Sequence, residues 1–244
     1  MTDPIPETLQ QRFQRVLNRI HQAEAASNRA PGSVSLLAVS KTKSLEEIAA
    51  LADLGQRCFG ENYLQEALQK IDRLRDRELE WHFIGRIQSN KTRPIAENFA
   101  WVHSLASLKH ATRLSDQRPP HLPPLNICLQ VNSSGETSKD GYSEEALREE
   151  FEAYTRLPNI RVRGLMTIPA PATEETAQHQ PFQRLRWLRD ELQGAKTPLD
   201  TLSMGMSKDL EAAIEEGATI IRIGTAIFGP RQYNQQGSHP SKAG

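Results

Sequence analysis

The sequence has little of what would place a protein outside the cell or in a membrane. Only two cysteines occur, Cys58 and Cys128, both inside apolar runs, so they read as buried reduced thiols and not as a disulfide framework. No CxxC pair and no Cys/His cluster in the sequence suggests a structural metal. Aromatic residues make up only 6% of the chain, and no apolar run approaches the ~20 residues that span a bilayer. The opening MTDPIPETLQ lacks a basic segment followed by an apolar one, so no secretory signal is expected. An excess of either charge is missing too. Thirty Lys and Arg balance thirty Asp and Glu, which leaves nothing to steer the chain toward nucleic acid or an anionic membrane. A soluble, cytoplasmic protein is the expectation.

What is present is an alternation. From near Pro6 to about Asn28, Leu9, Phe13, Val16, Leu17 and Ile20 recur at helical spacing. Pro31-Gly32 mark a turn, and residues 34–40 form a short apolar run of the kind buried on both faces of a parallel sheet. Ser44, with Glu47 three residues on, makes a capping box for a helix that runs to Gly55. Further strand candidates follow at 57–60, 81–84, 101–104, 125–131, 161–165, 199–202 and 219–223, each trailed by a helical stretch. Eight such units in 244 residues are the count of a single α/β domain folded as a (β/α)8 TIM barrel, here with an extra N-terminal helix. An open doubly wound sheet is the competing arrangement. The barrel is taken as residues 1–232. The polar stretch 233–244, with Gly and Pro, is expected to be a disordered tail.

Chemistry in such barrels gathers at the C-terminal ends of the strands. The first strand ends in Lys41, directly after Leu36-Leu37-Ala38-Val39-Ser40. Burial at that rim, with Lys43 as a second cation, favours a neutral amine, the form that attacks an aldehyde to give an imine. A lysine snorkelling out of a strand end is the plainer alternative. The last two strands supply Ser203-Met204-Gly205-Met206-Ser207 and Arg222-Ile223-Gly224-Thr225. Gly205 and Gly224 let backbone N–H groups approach an anion, Ser203 and Thr225 offer hydroxyls, and Ser207 is expected to begin a helix. Ordinary turn glycines with Ser207 as an N-cap fit the same pattern. Arg222 stays charged at any ordinary pH and suits a ring nitrogen or a phosphate. Barrel closure makes the first and last strands neighbours. One ligand carrying both an aldehyde and a phosphate then satisfies both sets, and pyridoxal 5′-phosphate is the economical choice.

Several motifs resemble those of the pyridoxal phosphate homeostasis protein family. They are Ala38-Val39-Ser40-Lys41-Thr42-Lys43, Phe59-Gly60-Glu61-Asn62-Tyr63, Trp81-His82-Phe83-Ile84-Gly85, Gln88-Ser89-Asn90-Lys91, Gly164-Leu165-Met166-Thr167 and the two turns above, in order from about residue 8 to 231. The resemblance implies a fold-type III barrel like the N-terminal domain of alanine racemases, with the cofactor on Lys41 and Arg222 facing its pyridine nitrogen. It implies that Ser203, Ser207, Gly224 and Thr225 hold the phosphate, and that Asn62, His82 and Met166 line the ring. It also implies cofactor buffering or delivery that affects amino-acid and keto-acid balance, with no assigned reaction. Apo-enzymes that use the cofactor are the implied partners. Lys139 resembles a lysine the family uses in cofactor exchange, whereas the tail matches nothing in the family.

Racemisation needs a second acid/base on the opposite face of the imine. The resembling racemases take it from a second, β-rich domain, and none is expected here. An arginine beside the ring nitrogen leaves that nitrogen unprotonated, which weakens the ring as an electron sink. A carrier is therefore expected, and because a closed barrel needs no partner, a monomer is the default. The alternatives are an amino-acid racemase or imine-forming aldolase, and a regulatory module with a vestigial pocket. From the residues alone, His82 and His103 read as satisfied core histidines. Trp81, Trp101 and Trp187 read as packing residues, and Arg184, Arg186 and Arg189 as a solvated face.

Overall fold

A computed structural model describes residues 7–133, 140–172, 174–194 and 197–230. Among them, eight parallel strands close a barrel in sequential order: β1 (Ser35–Val39), β2 (Cys58–Glu61), β3 (Glu80–Phe83), β4 (Trp101–Leu105), β5 (Leu125–Gln130), β6 (Ile160–Met166), β7 (Thr201–Ser203) and β8 (Ile220–Ile223). The seam is β1 against β8, with Leu37 opposite Arg222 and Ala38 opposite Ile223. Closure leaves no edge strand, so the doubly wound order is excluded. The helices are α1 (Leu9–Ala26), α2 (Leu45–Asp53), α3 (Leu64–Arg73), α4 (Thr92–Asn98), α5 (Leu108–Gln117), α6 (Glu144–Thr155), α7 (Glu175–Leu192), α8 (Leu210–Glu215) and α9 (Thr225–Phe228). Among the described residues, no helix is long and apolar enough to cross a membrane. Lys139 and the stretch 233–244 lie outside the described residues.

Local chemistry accounts for the helix starts. Thr8 and Gln11 cap α1 reciprocally, and its buried stripe of Phe13, Val16 and Ile20 packs on α8 and α9. Ser44 and Glu47 form the expected box at the head of α2. The helix expected from Ser207 begins at Leu210 instead. The Asp209 carboxylate accepts the Met206 N–H at 2.6 Å, which draws residues 206–209 into a turn before the helix can start. Trp187 also departs from expectation. The buried face of α7 is Phe182, Leu185 and Leu188, and Trp187 falls off that stripe into solvent.

The core has two parts. Between sheet and helices lies an apolar shell that includes Phe59, Ile95, Leu129, Leu165 and Ile221. Inside the barrel the apolar cluster is small, built on Trp101, Cys128 and Met166. Register sets the parity there: Gly60 lies opposite His82, His82 opposite Trp101, Met166 opposite Ser203, and Ser203 opposite Ile220. The inward set therefore includes His82, His103, Ser203 and Arg222. Barrels of this kind usually fill their interior with branched apolar side chains. Buried polar groups in that place need partners, and they mark where function is to be sought.

Candidate functional site

Lys41 follows β1 at the mouth of the barrel and is half-buried, on the parity of Leu37 and Val39. The backbone on both sides of it is held by a buried ionic cluster. The Ser40 carbonyl accepts from Lys70 Nζ at 2.8 Å, and the Thr42 N–H donates to Glu66 Oε1 at 2.6 Å. Lys70 sits between Glu61 and Glu66 at 2.8 and 2.5 Å, and the Ser40 hydroxyl donates to Glu61 at 2.6 Å. Thr42 has φ 64°, a left-handed conformation that a β-branched residue avoids, so the cluster holds a strained residue beside Lys41. Burial pushes the Glu61 carboxyl up from the ordinary carboxylate range, against the pull of Lys70. Lys43, expected as a second cation beside Lys41, has partners of its own. Its ammonium pairs with Glu47 at 3.5 Å and donates to the Phe228 carbonyl at 3.3 Å.

The two turns of the last strands fold together. Arg222 N–H donates to the Gly205 carbonyl at 3.0 Å. Gly205 has φ 93°, and a Cβ there would stand 2.6 Å from Ala213 Cβ and 2.7 Å from Ile221 Cδ1, so only glycine lets the first turn close onto β8. Gly224 lies across the seam from β1, where a Cβ would be 3.1 Å from the Val39 carbonyl oxygen. The strand that carries Lys41 and the Gly224–Thr225 turn are thus in contact. Thr225 is exposed and Ser207 half-buried.

Arg222 is buried, with Nη1 donating to Ser203 Oγ at 2.7 Å and Nη2 to the Thr167 carbonyl at 2.8 Å. Burial pulls its pKa down to about 10, which leaves it charged near neutrality. Ser203 Oγ is also 2.7 Å from His103 Nδ1. His103 Nε2 is 2.8 Å from His82 Nδ1, and His82 Nε2 is 2.9 Å from Glu80 Oε1. Burial pushes both imidazoles below the usual histidine range, and for His103 the nearby His82 and Arg222 add to the effect.

Of the residues singled out from sequence, Arg222, Ser203 and His82 therefore meet in one buried line. The Ser203 hydroxyl is engaged with Arg222 and His103, while Ser207 and Thr225 stay nearer solvent. Met166 lies in the interior apolar cluster. Asn62 follows β2, with Gly85 packed so closely that a Cβ would lie 2.1 Å from the Asn62 carbonyl. Its Oδ1 is buried and has no hydrogen-bond partner among the described residues, an acceptor suited to a ligand donor.

Sequence reasoning missed the Lys70 cluster and the His103 link. Glu66 and Lys70 at i,i+4 are readable as a helix pair, but their contact with Glu61 and Ser40 needs the fold. Strand pairing also brings Cys58, Glu80 and His82 within 4.8 Å, a grouping that no spacing motif signals. There the carboxylate is engaged with His82, and burial pushes the Cys58 thiol up to about 12, so it keeps its proton. Spaces of about 600 Å³ near Pro158 and Asp200 and about 630 Å³ near Lys43 and Phe228 lie away from Arg222, and one of about 320 Å³ flanks the mouth by Ser104 and His110.

A closed barrel with a lysine after its first strand and paired glycine turns after its last two defines a class. The family model described as "Alanine racemase, N-terminal domain" matches residues 17–232. Within that class, the chain belongs to the pyridoxal phosphate homeostasis protein family. It is 58% identical to the protein of that name from Pseudomonas aeruginosa, over 95% of this chain and 99% of the relative. It is 49% identical to the one from Escherichia coli K12, over 91% and 96%. Among solved structures, PipY of Synechococcus elongatus PCC7942, with PLP bound, is 37% identical with a TM-score of 0.77, covering 86% of this chain and 100% of that one. Alanine racemase from Corynebacterium glutamicum, at 19% identity and a TM-score of 0.64, shares the fold; the match covers 91% of this chain and 62% of that one.

Proposed function

We propose that this chain binds pyridoxal 5′-phosphate covalently through Lys41 and acts in cofactor homeostasis as a carrier. It buffers or delivers the cofactor, affects amino-acid and keto-acid balance, and turns over no substrate of its own. The observation that carries this is the contact at the seam: Val39, at the end of the strand that leads into Lys41, touches Gly224, with buried Arg222 on the adjoining strand. The donor set suits the cofactor, with an amine for its aldehyde, turn amides for its phosphate and a guanidinium for its ring nitrogen. The names of the relatives and the PLP in PipY support the same assignment.

When bound, the cofactor supplies the aldehyde and an electron-withdrawing ring. The chain's own residues hold and orient it. Ser207, Gly224 and Thr225 would hold the phosphate, with Ser203 acting through Arg222. Asn62, Met166 and His82 would line the ring. Arg222, a lasting cation, leaves the ring nitrogen unprotonated, and that favours holding over turnover. The two free cysteines fit a reducing cytoplasm, and a barrel without edges fits a monomer that hands cofactor to apo-enzymes.

A racemase or other imine-forming enzyme is the second possibility, favoured by the fold shared with alanine racemases. Incubating the cofactor-loaded protein with a panel of L-amino acids separates the two. The carrier keeps every substrate at its starting chirality and transfers its cofactor to an apo-enzyme. Stereochemical scrambling at a useful rate overturns the assignment.

A further inference from the structure

Below the mouth, Arg222, Ser203, His103, His82 and Glu80 run through the barrel in four contacts of 2.7, 2.7, 2.8 and 2.9 Å. Counting donors gives the line a direction. Arg222 only donates, so Ser203 Oγ accepts from it. Ser203 is fully buried, and these are its hydroxyl's two partners among the described residues. If His103 also donated to it, the hydroxyl hydrogen would be stranded in a buried site without an acceptor. Ser203 therefore donates to His103 Nδ1, and His103 carries its proton on Nε2.

The far end gives the same direction independently. The hydrogen bond from His82 holds the Glu80 carboxyl below its usual range; the Cys58 thiol, 3.6 Å away, and the Arg163 charge add to it. A carboxylate only accepts, so His82 carries its proton on Nε2 and accepts from His103 at Nδ1. Burial favours neutral rings, which leaves one proton for each. Trp101 stacks on His82 with centroids 5.5 Å apart and an interplanar angle of 3°, which fixes the ring plane.

We propose that His103 and His82 are positioning residues, anchored by Glu80 at the opposite end of the barrel, that keep Ser203 as the acceptor for Arg222 and so set the guanidinium that faces the cofactor ring. Only the last step rests on the cofactor assignment. The direction of the line belongs to the empty chain as well.

The test uses the full-length protein with ¹⁵N-labelled histidine. In the cofactor-free state at neutral pH, NMR is expected to find His82 and His103 both as neutral Nε2–H tautomers. An Nδ1–H tautomer or an imidazolium at either ring overturns the direction. Glu80 is partly exposed, so Glu80→Lys is tolerable there, and it places a donor where the acceptor stood. That variant is expected to turn His82 to Nδ1–H, shift the cofactor absorbance and release cofactor about fivefold faster, the equivalent of one hydrogen bond. Glu80→Gln keeps an acceptor oxygen and is expected to retain both tautomers and wild-type release. Reversed tautomers with unchanged release and absorbance would remove the positioning role. Absence of any borohydride label on wild-type Lys41 defeats the cofactor assignment instead, and leaves the tautomer result standing.

Discussion

Lys70 carries a charge into a place where charge is costly, and three acceptors compensate it: Glu61, Glu66 and the Ser40 carbonyl. Removing it leaves Glu61 buried without its cation. Lys70→Met is expected to lower stability by about 3 kcal/mol at neutral pH, read by urea unfolding. The deficit has a sign in pH. Burial raises the Glu61 pKa in the fold, and losing Lys70 raises it further, so the variant's shortfall grows as pH rises through that folded value. It shrinks as pH falls into the carboxylate range, where a protonated Glu61 needs no partner. A shortfall equal at pH 5 and pH 8 would contradict this assignment of charge. At this scale the sequence exposes Lys41, because a charge directly after an apolar run is conspicuous. It does not expose the Arg222–Glu80 line, whose members come from four strands and meet only when the barrel closes.

Among the elements, the turns after β7 and β8 do most to shape the mouth. Gly205 has a left-handed φ and no space for a side chain. Gly205→Ala is expected to cost about 1–3 kcal/mol and to loosen cofactor binding, because the turn must lift from Ala213 and Ile221. Equilibrium unfolding and cofactor titration on the same variant check both effects. Wild-type stability would mean that the turn yields freely. Capping chemistry was readable where the cap is local, as with Ser44 and Glu47, since both halves of the box lie within four residues. At Ser207 the same rule failed. The Asp209 side chain took the free amide and delayed the helix to Leu210, a competition that residue type alone does not rank.

For the whole molecule, closure is the decisive event. It brings Val39, at the end of β1 just before Ser40 and Lys41, against Gly224 at the far end of the chain, and the eight-fold alternation made that closure legible in advance. The polar interior was not legible. Strand parity and register decide which of His82, His103, Ser203 and Arg222 point inward, and a one-residue shift would send them to the helices. The most direct measurement is reduction of the purified, cofactor-loaded protein with borohydride, followed by peptide mapping. A single pyridoxyl label on Lys41 is the predicted result. A label on Lys43, or on any lysine remote from the β1–β8 seam, would contradict the account.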